Sequence, residues 1–290
     1  MGNTFLTPQV IAKEALMVLR NNAVMANLVY RDYSNEFAAV GDTITVRKPA
    51  NFTANVYDRS AGLTVQDATE ESATVKMDTL LDVSFAVTFE QMSLDIADFS
   101  KQLLVPAMQA FADKVDNMLI SLADTKGTQK LTTAKADKEN IIEARKYLTQ
   151  AAAPNTDRAF VLGAESEADL LGDNGFTQYM GAGELAIPAL SEANLGRKFG
   201  FDIYTDQNVN LTGYEPNLAF HKNAMALVTR TPSMPLGSTT AHAESYDGFG
   251  LRVVYGYDMA KKTDTVSIDM LCGVAMLDPK LIVEVKRTTA

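Results

Sequence analysis

Two alternating segments flank a stretch that no compact core could absorb, and this arrangement constrains the fold more than any other part of the chain. "GDTITVRKP" (41–49) sets Ile44 and Val46 against Thr43, Thr45 and Arg47, the period of two of a half-buried strand. Pro49 stops that strand or confines it to a sheet edge. "ESATVKMDTLLDVSFAVTF" (71–89) alternates again through Val75, Met77 and Thr79, then Val83, Phe85 and Val87. Between them "ANFTANVYDRSAGLTVQDATE" (50–70) is polar and short of large apolar side chains. The pattern predicts an extended two-stranded loop. An isolated hairpin is marginally stable at best in water, so a loop of this kind needs a partner to hold it.

Two helical stretches bracket that loop. Residues 7–29 carry Ile11, Ala15, Val18, Leu19 and Val24 near one face, with Thr7 placed to cap and Pro8 in the favoured first position. Such a stripe must lie against its own core or another subunit. Residues 98–124 form the strongest helix. Leu104, Met108, Phe111, Val115, Met118 or Leu119, and Leu122 repeat at helical spacing, and Gln109, Asp113, Lys114, Asp116 and Asn117 make the polar face. At 1.5 Å per residue it spans roughly 37 Å. Pro106 kinks it or marks its true start.

The remainder alternates between classes. "DKENIIEARKYLTQAA" is a second helix with acidic residues at its front and Arg145 and Lys146 near its back. A buried-strand run "RAFVLG", a short helical "AESEADLL" and a glycine-rich loop "GDNGFTQYMGAGE" follow. "LGRKFGFDIYTDQNV" reads as a turn and a strand. The C-terminal part is strand-rich, with turns at Asp247-Gly248, Lys261-Lys262 and Asp278-Pro279. No internal repeat or low-complexity segment is present.

Composition narrows the classes. The 290 residues are 47% hydrophobic and 21% charged, as in ordinary globular proteins. No apolar run approaches the ~20 residues needed to span a bilayer, and the N-terminus lacks a signal-peptide pattern. Cys272 is the single cysteine, so no intrachain disulfide and no cysteine-based zinc site can form. The formal charge of −10, with no Lys/Arg block, argues against a sequence-reading nucleic-acid binder.

Candidates for chemistry are few. His221 and His242 are the only histidines. A catalytic His221 would pair with Asp202 or Asp206 and a nearby hydroxyl. No nucleophile elbow accompanies it, and a polar residue in a strand-turn-strand connection accounts for it as well. Two isolated histidines give no metal-ligand spacing. Gly181-x-Gly183-x-x-Ala186 matches a dinucleotide fingerprint in form, but it runs into Pro188 and does not sit between a buried strand and a helix. Acid-base work by the pairs Asp95/Asp98, Asp113/Asp116 or Asp264/Asp269 would need one member buried. Asp113 and Asp116 fall on the polar face of the long helix, where a solvated role suits them, and Asp95 and Asp98 read as helix-start residues. Arg47, Lys48 and Arg59, with Phe52 and Tyr57 between, form the best basic-aromatic cluster. Acidic residues from Asp67 to Glu71 on the returning strand favour contact with a partner subunit over nucleic acid. The expectation is therefore no catalytic, cofactor-binding or metal site, and intersubunit contacts at Arg47, Lys48, Tyr57 and Arg59.

In this order the segments resemble the major capsid protein of tailed bacteriophages, a shell fold shared with herpesvirus floor domains and encapsulins. "GDTITVRKP" resembles the rising strand of that family's extended loop. "EANLGRKFGFDIYTDQNV" resembles its small-residue turn and following strand, "AFHKNAMALVTRTP" a passage of phage coat proteins, and "DMLCGVAMLDPKLIVEV" their closing strands. The likeness runs over nearly the whole chain and is greatest to coat proteins of short-tailed temperate phages, without the extra central domain that some carry. It implies an α+β fold. Residues 1–40 would be an N-terminal arm and 41–86 the extended loop. Residues 87–152 and 266–290 would form a peripheral domain with a spine helix at 98–124, and 153–265 an axial domain. It further implies a non-enzymatic subunit of an icosahedral capsid, assembling into hexamers and pentamers around double-stranded DNA. The partners would be other copies, a scaffolding protein, a portal protein, a decoration protein, and packaged DNA held without sequence-specific binding. The place would be the virion, with assembly in the host cytoplasm and no membrane contact. Two alternatives stand beside it: an encapsulin-type compartment shell, and a cytoplasmic enzyme using the 181–186 glycine loop and His221.

Overall fold

The computed structural model describes residues 8–31, 43–47, 54, 72–87, 103–173, 176, 195–211, 213–235, 241–246, 249–258 and 263–288. In chain order, α1 (Pro8–Asn22) and α2 (Met25–Leu28) precede β1 (Thr43–Arg47), β2 (Ser72–Lys76) and β3 (Thr79–Val87). The long helix α3 (Val105–Lys126) leads to β4 (Gln129–Thr133), α4 (Lys138–Gln150), β5 (Arg158–Leu162) and α5 (Ala164–Leu171). Then come β6 (Arg197–Lys198), β7 (Phe201–Thr205), β8 (Tyr214–His221), β9 (Met225–Arg230) and β10 (Ala241–Tyr246). β11 (Phe249–Asp258), β12 (Thr263–Met276) and β13 (Ile282–Thr288) close the chain.

The first helix is not continuous over 7–29. It breaks at Ala23 and Val24 and restarts as α2, because the Asp116 carboxylate from α3 accepts the Val24 and Ala26 N–H groups at 3.0 and 3.1 Å. Those amides would otherwise need an acceptor of their own. The stripe itself is as the sequence indicates, with Ile11, Ala15, Leu16 and Leu19 buried. The surface they meet is the chain's own: α1 lies on α3, β10 and β11. Of the expected helix 98–124, residues 98–102 lie outside the described residues; the α-helix is described from Val105 and runs two residues beyond 124. Pro106 sits in its first turn, where its missing N–H removes no helical bond.

Besides the β1–β2 pair, two larger sheets divide the described residues. One has the order β10-β11-β12-β3, with β9 also paired to β12. Its inner face offers Leu251, Val253, Val266, Ile268 and Met270 to α1 and to Met108, Phe111, Val115 and Leu119 of α3. The other has the order β4-β13-β8-β5-β7-β6. β5 lies in its interior and is buried along its whole length. Ala159 and Val161 face the core around α3, whereas Phe160 and Leu162 face Ile141, Ala144 and Leu148 of α4. The long helix thus serves both sheets.

This partition departs from the expected grouping. β13 lies between β4 and β8 in the six-stranded sheet, although 266–290 was expected beside the long helix and apart from 153–265. Conversely, β9, β10 and β11, expected in the central group, pair with β12 on the long-helix side. The β13–β4 pairing is parallel and joins Val283 to Gln129. Local alternation cannot reveal a pairing between segments so far apart.

Candidate functional site

His221 ends β8, opposite Arg158 on β5. Its side chain is buried, and its Nδ1 accepts the Asn223 N–H at 3.1 Å, capping the short turn Lys222–Ala224 that leads into β9. Burial pushes the imidazole below its ordinary range, with Asp157 opposing and Arg158 assisting. Neither expected carboxylate partner reaches it. Asp202 lies on the far side of β5, opposite Ala159 and ion-paired with Arg197 at 3.7 Å. Asp206 follows β7, with its N–H on the Leu162 carbonyl. Arg158 and Leu162 are four strand residues apart, about 13 Å. A buried, capping imidazole that neither Asp202 nor Asp206 reaches has the geometry of a framework residue. The 181–186 loop, Asp95 and Asp98 lie outside the described residues. No group of three metal-ligating side chains occurs among the described residues.

The other carboxylate pairs resolve differently. Asp269 is buried and pairs with Arg252, while Ser267 bridges it to Asp82 across the sheet. Asp116 departs from the expectation of a solvated face: it is 1% exposed. Burial first, then the nearby Asp206 charge, push its carboxyl up to about 7 against the arm's N–H groups. A sequence signal for this existed. Ala112, Val115, Leu119 and Ile120 surround position 116 at helical spacing, so Asp116 stands inside the apolar stripe.

Two further polar joints escaped the sequence reading. Glu215 on β8 accepts the Glu165 and Ser166 N–H groups at 2.8 and 2.9 Å and the Ser166 hydroxyl at 2.6 Å, and so caps α5 from a distance. At the C-terminal end of α3, Asp124 accepts from Lys286, Lys130 and the Tyr214 hydroxyl at 2.8, 3.0 and 3.0 Å. Burial would raise the Asp124 carboxyl, but these bonds hold it well below the carboxylate range. The fully buried Glu284 completes the set, with Lys130 at 3.0 Å and Lys286 at 3.4 Å. Two carboxylates and two ammonium groups balance there.

The extended loop has a built root. β1 and β2 pair antiparallel from Thr43↔Lys76 to Arg47↔Ser72. Ala73, Val75 and Met77 pack on Ala226 and Val228 of β9 and Leu271 and Ala275 of β12. β2 crosses β12 at Gly273, where a Cβ would lie 2.1 Å from the Lys76 carbonyl oxygen and 2.9 Å from the Met77 Cα. The absence of a side chain at 273 is what lets the hairpin cross here. Of the expected contact residues, Arg47 ends β1; its side chain, Lys48, Tyr57 and Arg59 lie outside the described residues.

Neither a family model nor a curated protein sequence matches the chain. Solved structures do. A structure from Mycobacterium phage Che8 matches with TM-score 0.67 at 22% identity, covering 91% of this chain and 90% of that one. The capsid structure of the cyanophage P-SCSP1u matches with TM-score 0.61 at 13% identity, covering 92% and 89%. The fold is that of the phage major capsid protein. A virus-like particle from Pyrococcus furiosus shares this capsid fold at TM-score 0.53 and 12% identity, covering 96% and 98%. The α+β capsid fold and the antiparallel root of its loop agree with the sequence reading. No described helix is long and apolar enough to cross a membrane.

Proposed function

We propose that the chain is the structural subunit of an icosahedral capsid, assembling with its own copies into hexamers and pentamers that enclose double-stranded DNA. The observation that carries this reading is agreement of fold with phage capsid structures over nine-tenths of the chain. The work of such a subunit is binding, not catalysis. The five-stranded sheet with α1 and α3 would be the peripheral domain, and the six-stranded sheet with α4 and α5 the axial domain. The loop rising from the β1–β2 root would reach a neighbouring copy, with Arg47, Lys48, Tyr57 and Arg59 making the contact. A scaffolding protein, a portal protein and a decoration protein complete the proposed set, in a virion assembled in the host cytoplasm. The charge of −10 suits a wall that lets packaged DNA move during filling.

Negative-stain microscopy of the protein, produced with and without the product of the gene upstream, tests the reading. Closed particles a few tens of nanometres across are expected; dispersed subunits under both conditions would overturn it. The likeness to the Pyrococcus furiosus particle favours one other reading, a compartment shell of the encapsulin type. Particles that copurify with a cargo enzyme, from a gene cluster lacking a terminase and portal, would decide for that one.

A further inference from the structure

Three parts of the fold meet at Asp116 and Asp206. Asp116 projects from the middle of α3 and takes the N–H groups that start α2. Asp206 follows β7, is 4% exposed, and accepts the Asn208 N–H with one oxygen. Its other oxygen, Oδ2, is buried without a hydrogen-bond partner. The charged groups bearing on the pair are acidic: Asp206 on Asp116, and Asp113, one turn back on α3, on Asp206. The arm segment 23–29 covering Asp116 has no titratable side chain. Asn208 donates to Asp113 at 3.1 Å and accepts from Asn117 at 3.2 Å, which fixes the loop against the helix.

We propose that this junction is a proton-gated latch for the N-terminal helices. A proton held by either Asp116 or Asp206 removes one of the two negative charges buried at this junction. Loss of that proton leaves two buried carboxylates whose charges oppose each other. The relief available is for α2 to lift and admit water, which freezes out neither sheet. Carboxyls that feel each other's charge lose their protons as a pair rather than singly.

The sign follows from where Asp116 titrates. Its value rises from 3.8 to about 7 in the folded chain. A proton bound more tightly in the folded state stabilises it fully below the unfolded value. That contribution is lost as pH rises through the interval and is gone above about 7. Burial also raises Asp206. The seated arm is therefore tightest in mild acid and loosest in mild alkali.

Hydrogen exchange of the full chain, read by mass spectrometry and corrected for intrinsic rates, tests this between about pH 5 and pH 8. Peptides covering 23–29 should lose protection at least about tenfold relative to those of α4, one pKa unit's worth of coupling. Asp206→Asn should shrink that loss by relieving Asp116 of its neighbour's charge. Asp116→Asn should abolish the pH dependence; if that variant does not fold, Asp206→Asn decides alone. Protection of 23–29 that tracks α4 at every pH would overturn the latch. So would a pH-dependent loss that Asp206→Asn leaves unchanged.

Discussion

At the scale of single residues, position in the fold decides what a side chain does. His221 attracts a catalytic reading because it is one of two histidines, yet its ring is spent on the Asn223 amide. Replacing it with Ala should cost about 1 kcal/mol through the lost cap and leave particle formation intact, which denaturation and microscopy would show together. Gly273 carries more. An added methyl group collides with backbone at Lys76 and Met77, atoms that cannot swing aside. Gly273→Ala should destabilise by about 1–3 kcal/mol and make the β1–β2 root the first site of limited proteolysis; a melting curve equal to the parent's would refute the tight crossing. The sequence shows such residues unevenly. Asp116 could have been suspected from its apolar neighbours, but Gly273 could not, since its role depends on a strand almost two hundred positions away.

At the scale of elements, period and pairing separate. The helices α3 and α4 and the strands β1, β3 and β5 were legible because burial on one or both faces writes a period into local sequence. Which strands pair was not, because register between remote segments is set by the closed sheet. The arm illustrates the difference: its stripe was visible, but only the fold says that the stripe meets α3, β10 and β11 of its own chain. Leu19 is fully buried there, so Leu19→Ala should cost about 2–5 kcal/mol of subunit stability. An arm that served only a neighbour would leave the isolated subunit's unfolding unchanged. The joint at the end of α3 gives a pH signature. Asp124 titrates below its unfolded value, so its contribution is present above about pH 4 and lost as pH falls through the depressed value. Asp124→Asn should lower stability at pH 7 by about 1.5–3 kcal/mol and flatten the acid limb of the stability curve. Urea titrations at several pH values would check both parts.

At the scale of the whole molecule, the two cores and the loop root differ in what they need. The sheets are closed by residues of this chain, and among the described residues the loop root packs on β9 and β12. A two-stranded ribbon by itself buries too little to stand alone in water. In the proposed shell a neighbour would hold the loop, with the basic-aromatic residues as the natural means because the subunit as a whole is acidic. Copies carrying −10 each repel one another at a distance, so local positive charge is needed where they touch. Reversing Arg47, Lys48 and Arg59 together to Glu should therefore leave circular dichroism and the unfolding curve close to the parent's. The same change should abolish particles in sedimentation velocity. Assembly by the parent should also depend on ionic strength, since exposed pairs beyond about 10 Å are screened at 0.1 M salt. A triple variant that still forms closed particles would move the contact elsewhere on the loop, while one that fails to fold would show that these charges serve the subunit itself.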